Sequence, residues 1–164
     1  MGPIDANKLW QNFLDTVQNH YMDFDGRIGR AQFWFYCLVV FALWIGALVV
    51  AAITTHLLLT LFALALLLPN LGMTVRRLHD TGKPGIWVLL LAVPLVLFML
   101  MGIFAILGGA LGFLAMLYAF TRLISLVSLV CFIALVYFCA QPGTPGGNAF
   151  GAVPPVWTPG PGAP

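Results

Sequence analysis

Charge is scarce in this sequence: seven Lys and Arg and five acidic residues are spread over 164 positions, so that 7% of the chain is charged. An ordinary soluble domain is about a quarter charged and roughly half apolar, whereas this chain is 62% hydrophobic with a mean hydropathy of +1.01. The shortage excludes a water-soluble fold, and seven basic residues against five acids exclude a nucleic-acid-binding face. Cysteine is scarce as well. Cys37, Cys131 and Cys139 each fall within an apolar run without CxxC spacing, which excludes a disulfide framework and a thiolate metal site and leaves three small buried hydrophobes. The first thirty residues hold no apolar run with a cleavage site, so no cleavable signal peptide is expected. A Walker-type glycine loop and HxxxH spacing are also missing.

What the chain does have is long uncharged runs. Phe33 to Thr55 carries no charge and opens on an aromatic cluster, Phe33-Trp34-Phe35-Tyr36, as expected at a membrane interface. Leu57 to Val75 is a second run, broken by Pro69 and Gly72. Ile86 to Phe120 would reach roughly 50 Å as one helix and overshoot the bilayer core, so a corner is expected at Gly108-Gly109 and Gly112. The third span is then Ile86 to Leu107, Arg122 precedes the fourth, and the fourth is Leu123 to Ala140. The fold class expected is all-α: a polytopic membrane protein of about four transmembrane helices.

Two flanks complete the organisation. In residues 1–23, Leu9, Trp10, Phe13, Leu14, Val17 and Tyr21 gather on one side of a helix that Asp5 can cap. This amphipathic segment lies in the membrane interface or packs on the domain's own cytoplasmic face. Residues 24–147 form the membrane domain. Residues 148–164, dominated by Pro and Gly, are expected to be a flexible, disordered tail. With the N-terminus inside, Lys8, Arg27, Arg30, Arg76, Arg77 and Lys83 are cytoplasmic and Arg122 alone lies outside, and four spans return the C-terminus to the cytoplasm.

Polarity concentrates in TVRRLHDTGKPG, Thr74 to Gly85, read as the cytoplasmic connector after the second span. Arg27 and Arg30 stand three apart at a helix start, Arg76 and Arg77 end the second span, and Asp25 and Asp80 are the nearby acids. Two readings follow. One is an Arg–carboxylate clamp between the first motif and the connector, contributing about 1 to 2 kcal/mol. The other is contact of Arg76, Arg77 and Lys83 with anionic lipid head groups, at about 1 kcal/mol per residue. His79 and Asp80, with His20, Asp23 and Asp25, could bind a metal only if adjacent residues of a tight loop both ligated, so neither a metal nor a cofactor is assigned. Ser125 and Ser128 lack a base and are expected to hydrogen-bond within the helix bundle, and no catalytic residue is assigned.

FDGRIGRAQFW, VRRLHDTGKPGIW, Val93-Pro94 and QPGTPGGNAFG, in that order, resemble the bacterial inner-membrane family called domain of unknown function 805, over about Phe24 to Gly151. The chain departs from that pattern at Gly29, where a hydroxyl residue is usual, at Gln32, where an acid is, and in a longer stretch between Pro94 and QPGT. The resemblance implies a small multi-span protein of the bacterial inner membrane and supplies no reaction. The resulting expectation is a non-enzymatic binding or accessory component whose Arg27, Arg30, Arg76, Arg77, His79, Asp80 and Lys83 cluster meets anionic lipid, a partner membrane protein or a second copy. The alternative is a small oligomeric transporter or channel with a cavity opened by kinks at Pro69 and Pro94 and made polar by Asn70. Against it, neither Leu57 to Val75 nor Ile86 to Leu107 contains an ionisable residue.

Overall fold

The computed structural model describes residues 4–53, 56–94, 96–97, 99–100 and 109–160. Its regular elements are helical: α1 Ala6–Asn19, α2 Arg30–Ile53, α3 His56–Asp80, a 3-10 helix Gly85–Leu91, and α4 Gly109–Ala140. An isolated antiparallel bridge joins Asn148 to Gly151. Among the described residues, three helical stretches are long and apolar enough to cross a membrane: Arg30–Ala52, Leu57–Asp80 and Phe120–Ala140. The expected span Ile86 to Leu107 begins as the 3-10 helix, and its residues 101–107 lie outside the described residues.

Two expectations about boundaries change. Arg76 to Asp80 are not a loop but the last turn of α3. The helix ends later, in a Schellman motif: the Gly82 amide donates to His79 O at 3.0 Å and the Lys83 amide to Leu78 O at 2.9 Å. Gly82 takes the left-handed φ of +75° that this motif needs. At the other boundary, α4 is helical from Gly109 onward, so Gly109 and Gly112 of the expected corner are helix, Gly108 lies outside the described residues, and Arg122 lies inside α4 instead of ahead of it. In hydrocarbon an unpaired backbone group costs several kcal/mol, which outweighs the weak helix preference of glycine.

The described chain forms two compact units, one holding the residues up to Gly85 with those from Gln141 onward, the other Ile86–Ala140. In the first unit α1 is capped by Asp5, whose side chain accepts from the Asn7 amide at 2.9 Å. Its buried residues are Asn12, Phe13 and Thr16. Phe13 stacks between Trp10 and Tyr36, with ring centroids 5.1 and 6.0 Å away. Asn12 Nδ2 donates to Gln32 O at 3.1 Å and Gln32 Nε2 returns a bond to Asn12 Oδ1 at 3.2 Å, so Gln32 fastens α1 to the start of α2. In the second unit Trp87 meets Phe138 edge-on at 5.2 Å. Ser125 and Ser128 donate to Thr121 O and Ile124 O of their own helix, and Cys37, Cys131 and Cys139 are not joined in disulfides.

Pro69 sits inside α3 and cannot donate to the carbonyl four residues earlier. That carbonyl belongs to Ala65, and the Tyr21 hydroxyl donates to it at 2.7 Å. The carbonyl that Pro69 leaves without an amide therefore has a partner from the segment that follows α1. Gly72 allows this segment close: a Cβ there would stand 2.8 Å from Asp23 O.

Candidate functional site

At the end of α3, Arg77 and Asp80 are three residues apart and share one face. A carboxylate at a helix C-terminus opposes the negative end of the macrodipole, so Asp80 needs cations, while the same dipole favours Arg77. Arg77 Nη1 donates to Asp80 Oδ2. Arg27, at the turn before α2, donates from both Nε and Nη2 to Asp80 Oδ1, at 3.1 and 2.9 Å. The side chains of Arg27, Arg77 and Asp80 are 1%, 0% and 5% exposed. Of the two arginines considered for the clamp, the structure selects Arg27; Arg30 is exposed on the first turn of α2. Asp80 is not held by a two-pronged fork, since Arg27 takes one carboxylate oxygen and Arg77 the other.

Two arginines and one aspartate leave a buried excess of positive charge, and backbone carbonyls from the C-terminal segment face it. Arg27 Nη1 donates to Gly146 O at 2.8 Å and to Gly151 O at 3.3 Å, and Nη2 to Thr144 O at 2.9 Å. With the two bonds to Asp80, this engages all five N–H groups of a guanidinium. Arg77 Nη2 donates to Gln141 O. The segment is also tied to the helix end itself: the Thr144 amide donates to Asp80 O at 2.8 Å and Asn148 Nδ2 to His79 O at 2.9 Å. Gly143 lies directly on the carboxylate; a Cβ there would stand 2.8 Å from Asp80 Cγ. We call this arrangement the latch.

His79 and Asp80, weighed as a metal pair, diverge. The His79 ring stacks face to face on Phe150 with centroids 4.0 Å apart, and its Nδ1 lies 3.1 Å from Gly26 O. Arg76 belongs to a second, more exposed group: its Nη1 reaches Asp23 Oδ2 at 3.3 Å, and His20 Nδ1 meets the same oxygen at 2.8 Å. Burial raises the Asp23 pKa, but the His20 hydrogen bond, the Asp25 amide and the charges of Arg76 and His20 outweigh it and hold the carboxyl below its ordinary value. Lys83 contributes its amide to the Schellman motif.

The segment from Gln141 differs from the mobile tail expected beyond Asn148. Beyond the latch, Trp157 packs on Phe35 at 5.6 Å, Pro159 O accepts from the Asp5 amide at 2.8 Å, and Gly160 O accepts from Lys8 Nζ at 2.9 Å. Next to Pro69, Asn70 Oδ1 accepts from the Tyr36 hydroxyl at 2.8 Å and Asn70 O from Thr74 at 2.7 Å. Pro94 belongs to the other compact unit. Sequence reasoning missed the carbonyl acceptors of residues 141–151 and the roles of Tyr21 and Tyr36. The pointer to the first was the QPGTPGGN string itself, whose prolines and glycines leave carbonyls without local partners.

Membrane-length helices closed at one end by a buried Arg–Asp–carbonyl latch define an all-helical membrane protein. The chain belongs to the family described as protein of unknown function DUF805, whose model matches residues 21–152. The match begins at Tyr21 and ends one residue beyond Gly151, so it contains every residue of the latch. Among relatives in Escherichia coli K12, the chain is 36% identical to the uncharacterized protein YiiR over 141 residues, covering 83% of this chain and 88% of that one. It is 32% identical to the inner membrane protein YhaI over 107 residues (62% and 88%), and 29% identical to the inner membrane protein YhaH over 149 residues (87% and 94%). No solved structure matches.

Proposed function

We infer that this chain is a four-span protein of the bacterial inner membrane, with both termini cytoplasmic, that serves as a non-enzymatic accessory component. Two relatives carry the name inner membrane protein. Four crossings are supported by the latch: Asp80 and Thr144 are bonded to each other, so the chain leaves and returns at one membrane face. α4 provides one crossing, and in this reading the span expected over Ile86 to Leu107 provides the other. The face carrying Lys8, Arg27, Arg30, Arg76, Arg77 and Lys83 is the cytoplasmic one by the positive-inside rule.

The observation that carries the accessory reading is the saturation of Arg27, whose donors all end on Asp80 and the chain's own carbonyls. The buried arginines act on the protein itself, as a lock on its cytoplasmic end, and contact with anionic head groups or a partner membrane protein falls to the exposed part of the cluster, beginning with Arg30. The test combines topology with lipid retention. Cysteines placed at Thr81 and Ala149, in a background without the three native cysteines, are expected to resist membrane-impermeant reagent in intact cells; labelling of either would overturn the orientation. Native mass spectrometry of Arg30→Gln is expected to show less bound phosphatidylglycerol or cardiolipin, with Arg77→Gln lowering thermal stability instead. Lipid loss confined to Arg77→Gln would reverse the assignment.

A further inference from the structure

Between α2 and α3, on the membrane side of the latch, lies a cleft of about 260 Å³ whose walls include Phe33, Tyr36, Phe41 and Trp44 and whose polar edge is Asn70 and Thr74. Four aromatic rings around so small a space make flat surfaces for stacking. Trp44 is held on its far side by an edge-on contact with Phe62 at 5.5 Å. The polar edge has a definite sense. Asn70 Oδ1 is taken by the Tyr36 hydroxyl and Asn70 O by the Thr74 hydroxyl, while the Asn70 Nδ2 amide has no acceptor among the described residues. In a medium without water an idle donor of this kind is costly and draws an acceptor oxygen.

We propose that this cleft is a binding site for the head group of a membrane-soluble quinone, its flat ring against the aromatic walls and one ring carbonyl accepting from Asn70 Nδ2. The cleft lies in membrane-length helices and Phe41 on its wall is 64% exposed, so the ligand enters from the bilayer and is apolar. The free group is a donor, so the ligand carries an acceptor. The volume is just below the roughly 300–1,000 Å³ of whole small-molecule sites, which suits a single ring with its isoprenoid tail left in the lipid. The depth agrees: Asn70 is six residues before Arg76, about 9 Å along the helix, within reach of the hydrocarbon boundary. This reading is independent of the accessory role and of the lipid contact at Arg30.

The test uses the full chain in nanodiscs of ether-linked phospholipid, which lack ester carbonyls. Titration with decyl-benzoquinone is expected to quench tryptophan emission saturably, with the saturable part lost in Trp44→Phe. Asn70→Leu removes the donor and should weaken binding about tenfold, the equivalent of one strong hydrogen bond. Decylbenzene, with the same tail and no carbonyl, should not compete. Equal competition by decylbenzene, or quenching unchanged in Asn70→Leu, would overturn the proposal. So would displacement of the quinone, mole for mole, by ester-linked phospholipid, since the site would then belong to the lipid. Should Asn70→Leu fail to fold, photolabelling of the unaltered protein with an azido-quinone decides: label within residues 33–44 or 70–74 supports the site, and label elsewhere removes it.

Discussion

Asp80→Asn is the most informative single change. It keeps the side chain's shape and one carbonyl acceptor, and removes the negative charge that Arg27 and Arg77 face. Those arginines are 1% and 0% exposed, so water cannot replace the lost partner. Breaking a buried pair from one side costs about 3–5 kcal/mol. The C-terminal dipole of α3 stabilises a cation in its last turn by about 0.3–1 kcal/mol, and the carbonyls of Thr144, Gly146 and Gly151 remain on Arg27. The expected net loss is therefore about 2–4 kcal/mol, which at about 2–4 °C per kcal/mol for a chain of this size lowers Tm by roughly 5–15 °C. Arg27→Ala should cost a similar amount. Combined with Asp80→Asn it should fall short of the sum by at least about 1 kcal/mol, because residues in one network couple. Arg30→Ala, at an exposed position, should be additive with Asp80→Asn. Thermal unfolding in nanodiscs of the parent, the three single variants and the two double variants gives both comparisons. A loss below about 1 kcal/mol for Asp80→Asn, the level of an exposed ion pair, would refute the latch as a stability element, and additivity with Arg27→Ala would refute the pairing.

Three further changes probe its surroundings. Gly143→Ala would put a Cβ 2.8 Å from Asp80 Cγ and should release the segment from Gln141, read as new protease cleavage within residues 141–160 at unchanged helix content by circular dichroism. Tyr21→Phe uncaps the Ala65 carbonyl and should cost about 1 kcal/mol; in a Pro69→Ala background, where the restored amide can bond that carbonyl, thermal unfolding should find it nearly silent. Asp23→Asn should cost about 0.5–1 kcal/mol, because its partner group is partly exposed. The Asp23 carboxyl titrates below its unfolded value of 3.8, so its contribution is complete above that pH and is lost as pH falls through the folded value. The Tm difference between the parent and Asp23→Asn should therefore vanish in acid and persist at neutrality.

Much of the membrane architecture is legible because it depends on composition and run length. The uncharged run from Phe33 is α2, the run from Leu57 is most of α3, and Asp5 caps α1. The clamp was legible as residue types, but not its membership. RRLHD reads as a loop because its polarity stands out from the apolar run before it, and polarity marks the membrane boundary, not the end of a helix. Once α3 is carried on to Asp80, Arg77 and Asp80 share a face, and a third partner can come from the turn at Arg27. Tyr21 and Ala65 are 44 positions apart and Tyr36 and Asn70 are 34 apart. No local pattern encodes pairs like these, though the missing amide of Pro69 does say that a carbonyl near Ala65 requires a donor.

The C-terminal segment shows why composition misleads there. Proline and glycine disfavour helix and strand, and a segment with few internal hydrogen bonds is usually disordered because most of its carbonyls are best satisfied by water. The same deficiency makes it a set of unused acceptors. The five acids of this chain are all aspartates and all lie within the first 80 residues, so the segment from Gln141 has no side-chain carboxylate to offer a cation and meets these partners through carbonyls instead. Gln141, Thr144, Gly146 and Gly151 present theirs to Arg77 and Arg27, and Pro159 and Gly160 present theirs to the Asp5 amide and to Lys8. Glycine matters here for closeness: at Gly143 the chain passes against the Asp80 carboxylate where no side chain fits. Order in this segment is thus borrowed from donors far away in sequence. That makes it conditional on the latch, and an arginine lost at position 27 should loosen residues 141–151 before it disturbs the helices.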